Sequence, residues 1–183
     1  KTRWVFRFFM NDDGTIKKVK ARFVACGYSQ VEGRDFGETF AANITMAAFK
    51  LFWSIVADED RETDQVDAVK AFTQSDIDRE LYAEMPVGFE VPGYVLKLKK
   101  ALEGTRQGAY LWFQRNKWAL NKVGYTACLH EVNLYKHSTL KQAMAGVFAD
   151  DAGFAYRMQD EADYRKVKAE YAKLIHIEDP LEI

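Results

Sequence analysis

Phe148-Ala149-Asp150-Asp151 sets two carboxylates side by side, entered by an apolar run from Ala143 and left by another from Ala152 to Tyr156. Flanking residues of this kind can be buried as strands while the acids protrude at a sharp turn. Such a tip has two readings. One is solvated turn chemistry, for which Asp is a common choice. The other is a divalent cation site, because magnesium binds through one or two carboxylates and completes its shell with water and substrate phosphates. A third acid, Asp67, falls in the otherwise apolar segment Gln65-Val66-Asp67-Ala68-Val69-Lys70-Ala71-Phe72. An ionised carboxylate there is costly unless it is paired or holds a cation, although Asp at a strand-to-helix junction also serves as an N-cap. With strand 64–68 laid beside the hairpin, Asp67, Asp150 and Asp151 would share two magnesium ions about 4 Å apart, as in-line phosphoryl displacement requires.

The elements that must position these acids follow from periodicity and turn signals. Strand character runs from Arg3 to Met10 and from Ile16 to Tyr28, around the turn Asn11-Asp12-Asp13-Gly14. Gly27 to Thr39 reads as loop and Met46 to Ala57 as a buried helix. Short strands are expected at 64–68, 81–85, 94–98, 134–137 and 143–148, with a turn or short helix near Ser75. The spacing of Leu111, Trp112, Trp118, Ala119 and Val123 predicts an amphipathic helix over 108–123, and Glu161 to Leu174 reads as an exposed helix. Strands and helices in this order predict an α+β fold.

Composition narrows the functional classes. The chain has 183 residues, 48% hydrophobic and 14% aromatic, enough for a core, and its net charge of -1 hides an uneven distribution. Residues 1–24 carry seven Lys or Arg against two acids, residues 97–122 seven against one, and residues 150–183 five against nine. Basic and acidic stretches of this kind argue for separate surfaces. Cys26 and Cys128 stand about a hundred residues apart, without the spacing of a zinc site or a disulfide framework, which fits a reducing compartment. No apolar run reaches the roughly 18 residues that span a bilayer, and no signal peptide pattern opens the chain, so a soluble protein without a membrane partner is expected.

Collinear blocks then carry a resemblance. Lys20-Ala21-Arg22-Phe23-Val24-Ala25-Cys26-Gly27-Tyr28-Ser29-Gln30, followed by Gly33-Arg34-Asp35-Phe36-Gly37-Glu38-Thr39-Phe40-Ala41, resembles the opening of a copia-type retrotransposon reverse transcriptase. Gln65-Val66-Asp67 with Ala71-Phe72 resembles that family's first catalytic motif, and Leu81-Tyr82-Ala83-Glu84-Met85-Pro86-Val87-Gly88-Phe89 the segment after it. Lys97 to Gln107 with Trp112-Phe113 resembles the next block, and Phe148-Ala149-Asp150-Asp151 stands where the family has its aromatic-x-Asp-Asp hairpin.

The resemblance implies a fingers-and-palm core that copies an RNA or DNA template into DNA from a primer and dNTPs. It places mostly fingers at 1–63, palm with the first catalytic motif at 64–90, a fingers/palm junction at 91–115, and palm with the Asp-Asp hairpin at 116–183. Asp67, Asp150 and Asp151 would be catalytic and, with the Ala68 carbonyl, would hold two Mg2+ ions, with Mn2+ as a substitute. Lys20, Arg22, Phe72, Arg106 and Gln107 would form the dNTP site, Phe72 as the steric gate against a 2′-hydroxyl. Lys97, Lys99 and Lys100 would meet nucleic acid. Thumb, connection and ribonuclease H regions of a polyprotein would be its downstream partners. The compartment implied is the cytoplasm, inside a virus-like particle for an active element, or the nucleus.

The sequence departs from that pattern at Ala149, in place of a larger aliphatic, at Glu103, in place of an aromatic, and at Ala109, in place of a proline. Phe40-Ala41-Ala42-Asn43 lacks the proline expected there. A second reading therefore stands beside the polymerase: a degenerate or repurposed copy that binds nucleic acid or protein on the same fold without polymerase activity.

Overall fold

A computed structural model describes residues 1–178. In chain order its elements are β1 (Thr2–Met10), β2 (Ile16–Ala25), α1 (Met46–Asp58), β3 (Glu62–Ala68), β4 (Asp76–Ala83), β5 (Leu96–Lys100), α2 (Gly108–Lys122) and β6 (Tyr125–Ala127). β7 (Leu134–His137), β8 (Met144–Phe148), β9 (Asp151–Tyr156), α3 (Glu161–Leu174) and β10 (Ile177–Glu178) follow. All the strand pairings are antiparallel, and with the helices they make the expected α+β class. The chain divides into two compact units, one of Lys1–Phe40 with Ser75–Leu111 and one of Ala41–Gln74 with Trp112–Ile183.

The first unit contains the β1–β2 ribbon and the β4–β5 pair. Asp13 closes the β1–β2 turn: its Oδ1 accepts from the Thr15 amide at 2.8 Å and the Thr15 hydroxyl at 2.6 Å, which lowers the Asp13 pKa. The register pairs Val5 with Arg22, Arg7 with Lys20 and Phe9 with Lys18, while Trp4 pairs with Phe23, Phe6 with Ala21 and Phe8 with Val19. Because alternate residues point to opposite sides, one face of the ribbon is cationic and the other apolar. Phe6 and Phe8 on the apolar face are 58% and 59% exposed. A register shift between Phe9 and Met10 brings Met10 opposite Ile16.

Gly104 lets the loop after β5 press on the end of β2. Its φ is +86°, and a Cβ there would collide with the Ala25 carbonyl, while the Ala25 amide donates to the Glu103 carbonyl at 2.8 Å. Only glycine fits both the left-handed angle and the close approach.

The second unit is built on a six-stranded sheet in the order β10-β3-β9-β8-β7-β6. Val66, Ala68, Ala145, Val147, Ala152, Phe154 and Tyr156 enter a core that also contains Trp112, Leu120, Tyr164 and Tyr171 from α2 and α3. On the other face Met144 and Ala155 pack with Phe52 and Val56 of α1. Apolar residues on both faces explain why β8 and β9 read as nearly continuous apolar runs. Thr45 caps α1 by accepting from the Ala48 amide at 3.2 Å, and its hydroxyl donates to Glu131 at 2.8 Å. α3 starts with Glu161 and Asp163 and ends with Lys173, a charge order that suits the helix dipole.

Elements differ from the sequence expectation mainly at their ends. β3 starts two residues earlier, at Glu62, because it follows the register of β9 as far as the pair Glu62–Tyr156. The three-residue β6 was not expected. Asp67 is a strand residue within β3, and the next helical turn, a 3-10 turn, starts only at Ala71, so Asp67 is not the N-cap of a following helix.

Candidate functional site

β3 pairs with β9 so that Asp67 is directly opposite Asp151, and β8 pairs with β9 so that Phe148 is opposite Asp151. On the far side of β3, Glu178 of β10 is opposite Asp67. Directly opposed residues of an antiparallel pair point to the same face, with Cβ atoms roughly 4.5–5.5 Å apart. Phe148, Asp151, Asp67 and Glu178 therefore form one row across four strands, on the face away from Val66, Ala68, Val147 and Ala152. All four are exposed. Gln65, two residues before Asp67 on the same face, approaches Asp151 with its amide nitrogen 3.5 Å from Oδ1.

Asp150 belongs to the two-residue loop Ala149-Asp150 between β8 and β9. Ala149 has φ +55°, a left-handed angle that a residue with a Cβ rarely adopts. Both loop carbonyls are held: the Trp112 indole Nε1 donates to the Ala149 oxygen at 2.8 Å, and the Ala68 amide donates to the Asp150 oxygen at 3.0 Å. The sequence indicated the three acids and Ala68. It gave no sign of Glu178, which joins the row only through register, or of the donor role of Trp112. A buried tryptophan whose indole needs an acceptor is the signal for the latter.

Among the described residues no three His, Cys, Asp or Glu side chains come together closely enough to hold a metal ion. The donors nevertheless suit magnesium in kind. Carboxylate oxygens are hard ligands, and a magnesium site uses one or two of them with water and phosphate as the rest of its shell. The opposed Asp67 and Asp151, with Asp150 at the adjacent tip, match that demand.

Phe72, in the 3-10 turn Ala71–Gln74 of the same unit, is half-buried and packs against the main core.

The remaining residues singled out in the sequence belong to the first unit. Lys20 and Arg22 are exposed on the cationic face of the ribbon. Arg22 Nε is 3.7 Å from the Glu103 carboxylate, a half-exposed pair. Arg106 is exposed, with its Nε donating to the Gly27 carbonyl at 3.1 Å and its amide to Gln30 Oε1 at 2.7 Å. Gln107 is 0% exposed. Its Nε2 donates to the Asp35 carbonyl at 3.0 Å and to Asp78 Oδ1 at 3.2 Å, and its Oε1 accepts from Gln30 at 3.0 Å. Lys97 pairs with Glu80 at 2.9 Å and Lys100 with Asp76 at 2.7 Å, and Lys99 is exposed. Nearby, Arg34 and the Val31 amide hold the Asp35 carboxyl down at about 2. Among the described residues no helix is long and apolar enough to cross a membrane.

Comparison with known proteins places the chain in a family. The family model described as reverse transcriptase (RNA-dependent DNA polymerase) matches residues 1–179. The chain is 32% identical over 136 residues to the retrovirus-related Pol polyprotein from transposon RE2 of Arabidopsis thaliana, covering 73% of this chain and 9% of that protein. The Pol polyprotein from transposon RE1 of the same plant gives the same identity and coverage. That from transposon TNT 1-94 of Nicotiana tabacum is 36% identical over 118 residues, 63% of this chain and 9% of its own length. The chain thus spans about a tenth of the length of these relatives. No solved structure matches. With its family model matched over nearly the whole chain, this protein belongs to the reverse transcriptase family found in retrotransposon Pol polyproteins.

Proposed function

We propose that the chain is the fingers-and-palm core of an RNA-directed DNA polymerase, transferring nucleotides from dNTPs to a primer 3′-hydroxyl on an RNA or DNA template. The observation that carries this reading is the opposition of Asp67 and Asp151, with Asp150 at the adjoining tip, in a chain of reverse transcriptase family. The six-stranded sheet with its helices is the palm, and the β1–β2 ribbon belongs to the fingers. Asp67, Asp150 and Asp151, with the Ala68 carbonyl, would hold two Mg2+ ions or Mn2+ in their place. Bound there, the ions supply charge neutralisation to the attacking and leaving oxygens. The carboxylates would hold the ions rather than touch the phosphate, and their attachment to paired strands keeps their oxygens in place as charge develops.

Lys20, Arg22 and Arg106 would bind the triphosphate, since guanidinium and ammonium groups match phosphate oxygens. Gln107, with its amide already engaged, serves the same site by fixing the backbone next to Arg106. Phe72 acts as the gate against a 2′-hydroxyl, its ring steadied by the core it packs on. Lys97, Lys99 and Lys100 contact the nucleic-acid backbone without reading sequence. Further regions of a Pol polyprotein would complete the enzyme.

One observation favours the second reading, an interaction module without polymerase activity: Glu103 places a carboxylate against Arg22, one of the proposed triphosphate cations. Primer extension on an RNA template with Mg2+, native chain against Asp150→Asn, separates the two. Extension by the native chain alone supports the polymerase. Equal duplex binding by both, with no extension by either at high protein concentration, leaves only the module.

A further inference from the structure

The tip that carries Asp150 is strained, and the strain is held from outside the hairpin. Ala149 adopts φ +55° although it has a Cβ, and such conformations persist only where the surroundings over-determine them. Two bonds do so here. The Ala68 amide holds the Asp150 carbonyl at 3.0 Å, a contact made by the strand that also carries Asp67. The Trp112 indole holds the Ala149 carbonyl at 2.8 Å. Trp112 is 4% exposed and packed in the core with Val66, Ala68, Val147 and Ala152. Its ring is fixed by packing, so its N–H is a donor with one direction, presented to the one peptide whose orientation decides where Asp150 points.

We infer that Trp112 is a positioning residue: its indole N–H locks the Ala149 peptide in the left-handed turn and thereby sets the Asp150 and Asp151 carboxylates relative to Asp67. The value of that setting for metal binding rests on the polymerase reading above, whereas the lock itself does not. An indole donor is strictly directional and has no acceptor capacity, so Phe in its place keeps most of the ring packing and loses only the lock. Glycine at 149 removes the conformational penalty that makes the lock necessary.

The test combines amide hydrogen exchange with Mn2+ titration on the 183-residue chain. Trp112→Phe is expected to speed exchange of the Ala68 amide about tenfold and to weaken Mn2+ binding about three- to tenfold, with the Tyr135 amide in β7 unchanged. Adding Ala149→Gly to Trp112→Phe is expected to recover a large part of both losses, which a merely structural role for Trp112 would not allow. Unchanged exchange at Ala68, a uniform rise across the unit, or the absence of rescue by Ala149→Gly overturns the lock. Should Trp112→Phe fail to fold, the native chain still decides: the Trp112 indole proton is expected to exchange more slowly than those of Trp53 and Trp118, and equal rates overturn the proposal. Faster exchange at Ala68 in a chain whose native form binds no Mn2+ upholds the lock and overturns the polymerase reading. Mn2+ affinity that Trp112→Phe leaves unchanged overturns the positioning role and leaves the polymerase reading to the primer-extension test.

Discussion

Asp67 and Asp151 stand directly opposite one another on adjacent antiparallel strands, two carboxylates on one face of the sheet. Like charges in that relation repel, at a cost of about 0.2–1 kcal/mol. Asp151→Asn should therefore leave the metal-free protein as stable as the native one or more stable by that amount. On the proposed metal site, Mg2+ should raise the melting temperature of the native chain and Asp151→Asn should abolish that rise, since a ligand that binds only the folded state stabilises it. Melting curves with and without Mg2+ check both halves. A destabilised metal-free variant would show that Asp151 is held by attraction and not by register.

Arg22 shares its charge with Glu103, 3.7 Å away. Exposed pairs of this kind are worth a few tenths of a kcal/mol to about 1 kcal/mol. Glu103→Gln frees the guanidinium, so if Arg22 belongs to the proposed triphosphate site, dNTP affinity should rise about two- to fivefold. The gain should shrink as salt is added. Equilibrium titration with a fluorescent dNTP at two salt concentrations gives the answer, and an unchanged affinity would remove Arg22 from the triphosphate site.

His137 gives the second unit a pH dependence. Its Nε2 donates to the Val123 carbonyl at 2.9 Å, and its Nδ1 accepts from the Leu140 amide at 3.0 Å, so the neutral ring satisfies both partners. Burial lowers its pKa below the ordinary 6.5. The folded state thus binds this proton less readily than the unfolded chain. The stability it contributes is fully present above pH 6.5 and is lost as pH falls through the lower folded value. Chemical denaturation from pH 7.5 to 5 should show this decline, and His137→Gln should flatten it.

Gly104→Ala should destabilise the first unit. The substitution asks a residue with a Cβ to hold φ +86° while colliding with the Ala25 carbonyl, two penalties of roughly 1–3 kcal/mol each when neither is relieved. Denaturant melts measure the loss. A difference below about 0.5 kcal/mol, the ordinary range for a surface substitution, would mean that the loop after β5 yields easily.

Much of this architecture was legible in the sequence because periodicity and turn residues act locally. α3 runs from Glu161 to Leu174 as its helix formers indicate, and α1 and α2 each end within one residue of the expectation. The acids Asp67, Asp150 and Asp151 stand out in the sequence by type and setting, and the structure brings Asp67 opposite Asp151 with Asp150 at the adjoining tip. What the sequence could not give is register. The opposition of Asp67 to Asp151, and of Glu178 to Asp67, depends on pairing between segments more than eighty residues apart in one case and more than a hundred in the other. The short β6 was missed because three residues are too few for an alternating pattern, and its edge position is set by β7. Gln107 looked like a group available to a nucleotide, yet nothing local reveals that Gln30, Asp35 and Asp78 already engage its amide. The direction of the Trp112 N–H was hidden for the same reason: its acceptor, the Ala149 carbonyl, is 37 residues along the chain.

The two faces of the β1–β2 ribbon differ only in phase. Cationic and aromatic side chains alternate along β1 and β2, so composition fixes neither face. Removing Phe8 or Phe9 would leave net charge and hairpin turn untouched, yet shift the pairing by one step and turn the side chains beyond it to the opposite side. Phenyl rings would then stand on the cationic face along that stretch. Loss of one lysine removes one charge from one face, whereas such a deletion exchanges the two faces over the whole stretch, so the ribbon's pattern depends on length as well as on chemistry.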